Sequence, residues 1–391
     1  MNATSCCERA LIAYRQRSGS ELNGSRTPEL ELPTFSTAAK VRVIATLVLC
    51  GVSAVCNLAV LRAASGRRRR SRSRSRSRVR VLMVNLTAAD LLVTFIVMPV
   101  DAAWNITVQW RAGDLACRVL MFLKLQAMYS CAFVTVVISL DRQSAVLRPL
   151  AVGMAPRRNK AMLTVAWTMS ALLSVPQMFI FHNVTITHPS NFTQCTTRGS
   201  FGSRWQETAY NMFTFSCLFL LPLVIMLVCY TRIFIQISRQ MTRTSLSSNE
   251  LRLRCSKNNI PKARMRALKM SIVIVICFVL CWTPYYLLGL WYWFFPEHLE
   301  GKVSHSLTHI LFIFGLFNAC LDPIIYGLFT VRSCERLKGR RRRRDARLSD
   351  RETSAAATAS LKHAVRVPVE RTESPLTRGL NVCVSAEDNT I

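Results

Sequence analysis

The residues able to do chemistry in this chain are few, and they sit where chemistry is costly. Long apolar stretches hold a handful of strongly polar side chains: Asn57, Asp90, Asp101, Lys124, the Asp141-Arg142 pair and Asp322. An ionisable group inside a bilayer is expensive, so each needs a partner or a purpose. Asn57, Asp90 and Asp322 fall near mid-depth of their stretches. Two neighbouring carboxylates cannot both stay ionised cheaply, so such a centre shares a proton or a cation such as sodium. It is either a satisfied packing network or a two-state switch. Asp101 and Lys124 fall towards one end, and Asp141-Arg142 towards the other. Asp101 with Lys124 reads either as an ion pair tying two helices together or as an anchor for a polar ligand. Trp104, Trp282, Tyr285, Tyr286, Trp291, Tyr292 and Trp293 crowd the same level. Trp291 and Trp293 read as markers of membrane depth. Trp282 and Tyr286 lie deeper, beside Pro284, whose missing N–H kinks a helix and makes a hinge. No metal cluster and no nucleophile–base constellation argues for an enzyme.

The elements that must position these groups follow from composition. The chain has 391 residues, 51% apolar, with a net charge of +30. A soluble core would be strained by that combination, which resolves if charge lies between apolar blocks. Seven blocks suffice to span a hydrocarbon core, which takes about 20 helical residues: 41–62, 79–104, 115–147, 160–181, 206–237, 263–295 and 305–329. The expectation is an all-α membrane protein, a seven-helix bundle over 41–330 between an extracellular segment 1–40 and a cytoplasmic tail 331–391. Orientation comes from the positive-inside rule. The first connection, Arg62 to Arg80, holds ten arginines and no acid. The third connection and the start of the tail are basic too, which places the N-terminus outside and the tail inside. The sequons at Asn2, Asn23, Asn105, Asn183 and Asn191 all fall outside on this scheme, and Asn85 falls inside the second span. No signal peptide is visible, so the first span is expected to act as a signal-anchor. The run RRRRSRSRSRSR, Arg67 to Arg78, reads as a loop lying on anionic lipid rather than as a nucleic-acid site. Most of the fifteen cysteines lie within apolar blocks and read as packing residues. Cys117 and Cys195 are the best disulfide candidates.

In joint order, Asn57, LTAAD ending at Asp90, Cys117, Asp141-Arg142, Trp167, CWTP at 281–284 and DPIIY at 322–326 resemble the rhodopsin-like G-protein-coupled receptors. Closer still, NITVQW (105–110), VVISLDR (136–142), YNMFTFSC (210–217), SKNNIP (256–261) and CWTPYYLLGLWYWF (281–294) resemble the gonadotropin-releasing hormone receptors. The resemblance implies a plasma-membrane receptor for an extracellular decapeptide, coupled through a Gq-class heterotrimeric G protein to phospholipase C. A receptor for another small amidated peptide, such as a vasopressin-like hormone, is the alternative. By resemblance, Asp101 and Lys124 engage the polar N-terminal part of the peptide, and Arg42 and Asn105 its amidated end. Trp104, Asn211, Tyr286 and Tyr292 match further pocket positions. Contact is favoured over glycosylation at Asn105, which leaves Asn2, Asn23, Asn183 and Asn191 as the glycosylation candidates. Arg142, beside Asp141, matches the arginine that meets the G protein. Asn57, Asp90, Asp322, Trp282, Pro284 and Tyr326 match the switch.

The sequence also departs from the pattern. It reads DRQ rather than DRY and DPIIY rather than NPxxY, and it carries Asp90 where mammalian members have Asn. His305 stands where mammalian receptors have an acid, which implies a non-mammalian type tolerant of the second hormone form. Gly199 replaces a second loop cysteine. Val331 to Arg343 is expected to form an amphipathic helix on inner-leaflet lipids, with Cys334 a palmitoylation candidate. Ser349, Thr353, Ser354, Thr372, Ser374 and Thr377 are expected to recruit arrestin when phosphorylated. An opsin would need a lysine within 305–329, an amine receptor an acid at Lys124, and a transporter internal repeats; none is present.

Overall fold

The computed structural model describes residues 35–66, 74–148, 155–186, 191–246, 262–294 and 305–328. Within them lie seven helices long and apolar enough to cross a membrane. Helix α1 is Thr37–Gly66. Helix α2 runs through Arg74–Leu92, a wide π turn Val93–Val97 and Met98–Thr107. Helix α3 is Gly113–Leu147. Helix α4 is Ala155–Ser174, extended after a turn by Gln177–Ile180. Helix α5 runs through Arg204–Phe215, a second π turn Ser216–Leu220 and Leu221–Leu246. Helix α6 is Lys262–Phe294, and α7 is His305–Leu316 continued by 318–328 after a turn at Phe317. The amphipathic helix expected at Val331 to Arg343, Cys334, Asn2 and Asn23 lie outside the described residues.

Burial ranks the helices. The apolar window of α3 is 61% buried and that of α4 only 22%, so α3 is the central column and α4 a peripheral one. Large side chains such as Ile44, Val48 and Val55 on α1 and Leu172 on α4 remain exposed. In a bilayer these faces meet acyl chains, so exposure costs nothing there.

Both π turns precede a proline, Pro99 in α2 and Pro222 in α5. A proline ring clashes with the carbonyl four residues back, and a wide turn relieves the clash by admitting one extra residue. The extra residue rotates everything beyond it by about 100°. Asp101 and Trp104 are thereby set by the π turn as much as by helical period.

The expected all-helical architecture gains one element. After α4 the chain forms an antiparallel hairpin, β1 His182–Ile186 with β2 Phe192–Thr196. Its register places Asn183 opposite Cys195. Cys195 is bonded to Cys117 in the first turn of α3, across a Cα–Cα distance of 5.6 Å. Further hydrogen bonds hold the hairpin over the bundle end. The Trp110 N–H donates to the Thr193 carbonyl at 2.8 Å, and Gln194 Nε2 to the Val108 carbonyl at 2.6 Å. Val108 adopts φ 61° to end α2, a left-handed value unusual for a β-branched residue.

Candidate functional site

Below the hairpin, α3, α5, α6 and α7 enclose a cavity of about 220 Å³. Its wall includes Lys124 on α3, Glu207, Tyr210 and Asn211 on α5, Tyr285, Tyr286 and Trp293 on α6, and Phe312 on α7. Lys124, Asn211 and Tyr286 are therefore brought together as the sequence suggests. The floor is a stack of rings. Tyr286 lies 4.7 Å from Phe219, which the π turn of α5 presents, and 5.3 Å from Phe215. Trp282 lies beneath, 6.0 Å from Tyr286. Pro284, between them in sequence, removes one hydrogen bond from the interior of α6.

The outer ionic cluster differs from expectation. Asp101 does not take Lys124 as its hydrogen-bonded partner; it takes Arg42, from α1. Arg42 Nε donates to Asp101 Oδ2 at 2.9 Å, and its Nη2 donates to Oδ1 in a bidentate fork. The two side chains are only 2% and 5% exposed. Arg42 Nη1 also meets His309 Nδ1 at 2.7 Å, and its guanidinium lies 4.4 Å from the centre of the Phe312 ring. The reason is geometric. A planar fork matches a carboxylate bidentately, whereas an ammonium is a point charge. Lys124 stands beside this pair, buried, with its Nζ 5.4 Å from the same ring. Among the described residues no carboxylate lies within ion-pair distance of it.

Other expected pocket residues are elsewhere. Asn105 is buried, and its amide donates to the Asp101 carbonyl at 2.7 Å. The Trp104 indole donates to Gln194 Oε1 at 2.9 Å and packs edge-on against Trp110, around the disulfide rather than on the cavity wall. Trp293, taken from sequence as a depth marker, lines the cavity, whereas Trp291 is exposed as that role requires. Tyr292 lies within α6 and His305 begins α7, but their side chains lie outside the description. Glu207, Phe312 and His309 had not been singled out. Only packing reveals that His309 faces Arg42.

At mid-depth, Asn57, Asp90 and Asp322 are all buried, and the two carboxyl groups lie within electrostatic reach of each other. Asn57 Nδ2 donates to the Ser53 carbonyl at 3.0 Å and to the Ala319 carbonyl at 3.1 Å, stitching α1 to α7. Cys131 Sγ donates to Asp90 Oδ1 at 3.5 Å. No described protein group donates to Asp90 Oδ2, to either Asp322 oxygen, to Asn57 Oδ1 or to Asn318 Oδ1. A concentration of buried acceptor oxygens suits a hard cation or a proton. Tyr326 packs with the cluster of Leu82, Val134 and Ile325.

At the end opposite the hairpin, Asp141 is wholly buried. It accepts from Arg142 and from Asn159 Nδ2 at 2.7 Å. Arg78 Nη1 stands 3.9 Å from the same carboxylate. Asn85, in the sequon within the second span, accepts from the Trp167 indole at 3.0 Å. The sequon residue Asn191 is exposed and Asn183 is half-buried in β1.

The pattern of the 7 transmembrane receptor (rhodopsin family) matches residues 57–326. Among curated proteins, the chain is 55% identical to the gonadotropin-releasing hormone II receptor of Callithrix jacchus, over 82% of this chain and 81% of that one. It is 51% identical to that of Clarias gariepinus, over 80% and 82%, and 44% identical to the gonadotropin-releasing hormone receptor of Trichosurus vulpecula, over 83% and 99%. The chain belongs to the gonadotropin-releasing hormone receptors. The receptor is thus a multi-pass membrane protein of the G-protein-coupled class, and not an enzyme. Its similarity to type II receptors extends to primate and fish members alike.

Proposed function

We propose that the receptor binds an amidated decapeptide of the gonadotropin-releasing hormone type at the hairpin end, which faces the exterior, and activates phospholipase C through a Gq-class G protein at the opposite end. The observation that supports this reading best is Lys124. It is a buried cation on the wall of an aromatic-lined cavity, while the fork of Arg42 occupies Asp101. A desolvated ammonium with no carboxylate in ion-pair distance among the described residues favours a ligand that brings its own acceptor or carboxylate. A cavity of about 220 Å³ is smaller than the ~300 Å³ of drug-sized sites. It therefore accepts one end of a peptide, with the remainder lying across the hairpin and helix ends.

Peptide entry between Lys124, Tyr286 and Trp293 favours a state in which α6 pivots near Pro284. Binding shifts the population only by its differential affinity for the two states. The acceptor oxygens of Asp90, Asp322, Asn57 and Asn318 would hold a sodium ion or share a proton in the resting state, supplying neutralisation of the two carboxyl groups there. On this orientation the arginines of Arg62 to Arg80 and the tail face inner-leaflet lipid, arrestin meets the tail, Cys334 is palmitoylated and Asn2, Asn23, Asn183 and Asn191 are glycosylated. The deciding experiment is calcium release in transfected cells challenged with each hormone form and with a vasopressin-like peptide. A response to the former at nanomolar dose is expected. Silence at micromolar dose with surface expression verified removes the assignment.

A further inference from the structure

The arginine/serine run Arg67 to Arg78 leads into the bundle, and its last arginine reaches a buried acid. Arg78 lies one turn into α2, with its side chain 9% exposed and its Nη1 3.9 Å from Asp141 Oδ1. Asp141 is 0% exposed and is shared by three helices: Arg142 on α3, Asn159 on α4 and Arg78 on α2. The Nε atoms of both arginines are buried without an acceptor among the described residues. One carboxylate thus serves two guanidinium groups, and Arg142 holds the nearer place.

We propose that Arg78 is a standby counter-ion for Asp141, a positioning residue that lowers the cost of releasing Arg142 when the receptor couples. This rests on the receptor reading above, in which Arg142 leaves Asp141 to meet the G protein. Removing one partner from a buried pair leaves an uncompensated charge, and that is the expensive step. Asn159 alone cannot neutralise a carboxylate. Arg78 can, because closing from 3.9 Å to the ~2.9 Å of a charge-assisted hydrogen bond asks about 1 Å of a flexible side chain. In the resting state its charge also competes for Asp141 and loosens the hold on Arg142. Both effects favour the coupled state.

The test is inositol phosphate accumulation at matched surface expression for Arg78→Gln and Arg78→Lys, each alone and with Asp141→Asn, read with and without peptide. Arg78→Gln is expected to raise EC50 about tenfold and to lower basal signalling, within the usual range of coupling between sites. Arg78→Lys, which keeps the charge, should stay within about threefold of wild type. In the Asp141→Asn background Arg78→Gln should have no further effect, because the pair is already broken. Wild-type EC50 and basal signalling in Arg78→Gln overturns the proposal. So does raised basal signalling, which would make Arg78 a lock, or a shift that survives Asp141→Asn. A wild-type receptor silent to every peptide removes the hormone reading instead, and the peptide-free comparison still tests Arg78.

Discussion

The pairing of Arg42 with Asp101 makes a prediction that separates a structural role from ligand anchoring. With an Nε–Oδ2 distance of 2.9 Å, the gross attraction at an effective dielectric constant of 20 is about 6 kcal/mol. Exposures of 2% and 5% leave little solvent to screen it. Desolvation of both ions offsets much of that gain, so the pair contributes little net stability against an apolar replacement. Breaking it is another matter: either single change should destabilise by about 3–5 kcal/mol. The two singles should not be equal. Asp101→Asn leaves Arg42 and Lys124 as two cations beside the ring of Phe312, with no other carboxylate in ion-pair distance among the described residues. Arg42→Gln leaves Asp101 with Lys124, which can move in to neutralise it. Asp101→Asn should therefore cost more. The double variant Arg42→Met with Asp101→Leu keeps volume and removes both charges, so a coupling of about 3 kcal/mol should return most of the stability. Melting of the detergent-solubilised receptor and surface immunoassay read this out. Singles that melt and express as wild type, or losses that simply add, refute the reasoning. A double variant that reaches the surface but binds no peptide would assign the pair to both roles.

Three further outcomes follow from the same geometry. Lys124→Ala should raise EC50 about 100-fold, as loss of a buried charged hydrogen bond of about 2–3 kcal/mol requires, while surface expression stays intact; lost expression would mean that Lys124 stabilises the fold instead. A Cβ added at Gly315 would sit 2.9 Å from Trp282 Cζ3, so Gly315→Ala must displace the indole. Basal signalling should change and melting should fall by about 1–3 kcal/mol of overpacking; unaltered values for both would show that Trp282 has room to move. Gln194→Leu removes the bonds to the Trp104 indole and the Val108 carbonyl. It should cost about 1–3 kcal/mol through the unsatisfied indole N–H, measured as lower melting with the disulfide retained.

The helices were legible because length and apolar composition alone mark them: the spans expected at 115–147 and 263–295 appear as Gly113–Leu147 and Lys262–Phe294. The Cys117–Cys195 bridge was legible because few cysteines escape the apolar blocks. What the sequence did not disclose is which charged residues meet. Arg42 was assigned by resemblance to the peptide's amidated end, and its burial against Asp101 depends on α1 packing on α2. Arg78 looked like one more lipid-facing arginine in a low-complexity run. Nothing in that run distinguishes it from its neighbours, and only the approach of α3 to α2 brings Asp141 within reach.

The contacts at the hairpin end share one physical origin. A regular helix repeats its faces every 3.6 residues, and a wide turn breaks that repeat. Pro99 and Pro222 each force a wide turn, and beyond it every side chain is rotated by about 100°. Trp104 therefore turns to Gln194 and the hairpin, Asp101 to Arg42, and Phe219 onto Tyr286. With Asp101 held by Arg42, the ammonium of Lys124 is left for the cavity. Restoring a regular helix tests this directly. Pro222→Ala with deletion of one residue from Ser216–Leu220 should rotate Phe219 off Tyr286 and weaken peptide potency without loss of Lys124. Retained potency in a folded variant would mean that the cavity tolerates either register.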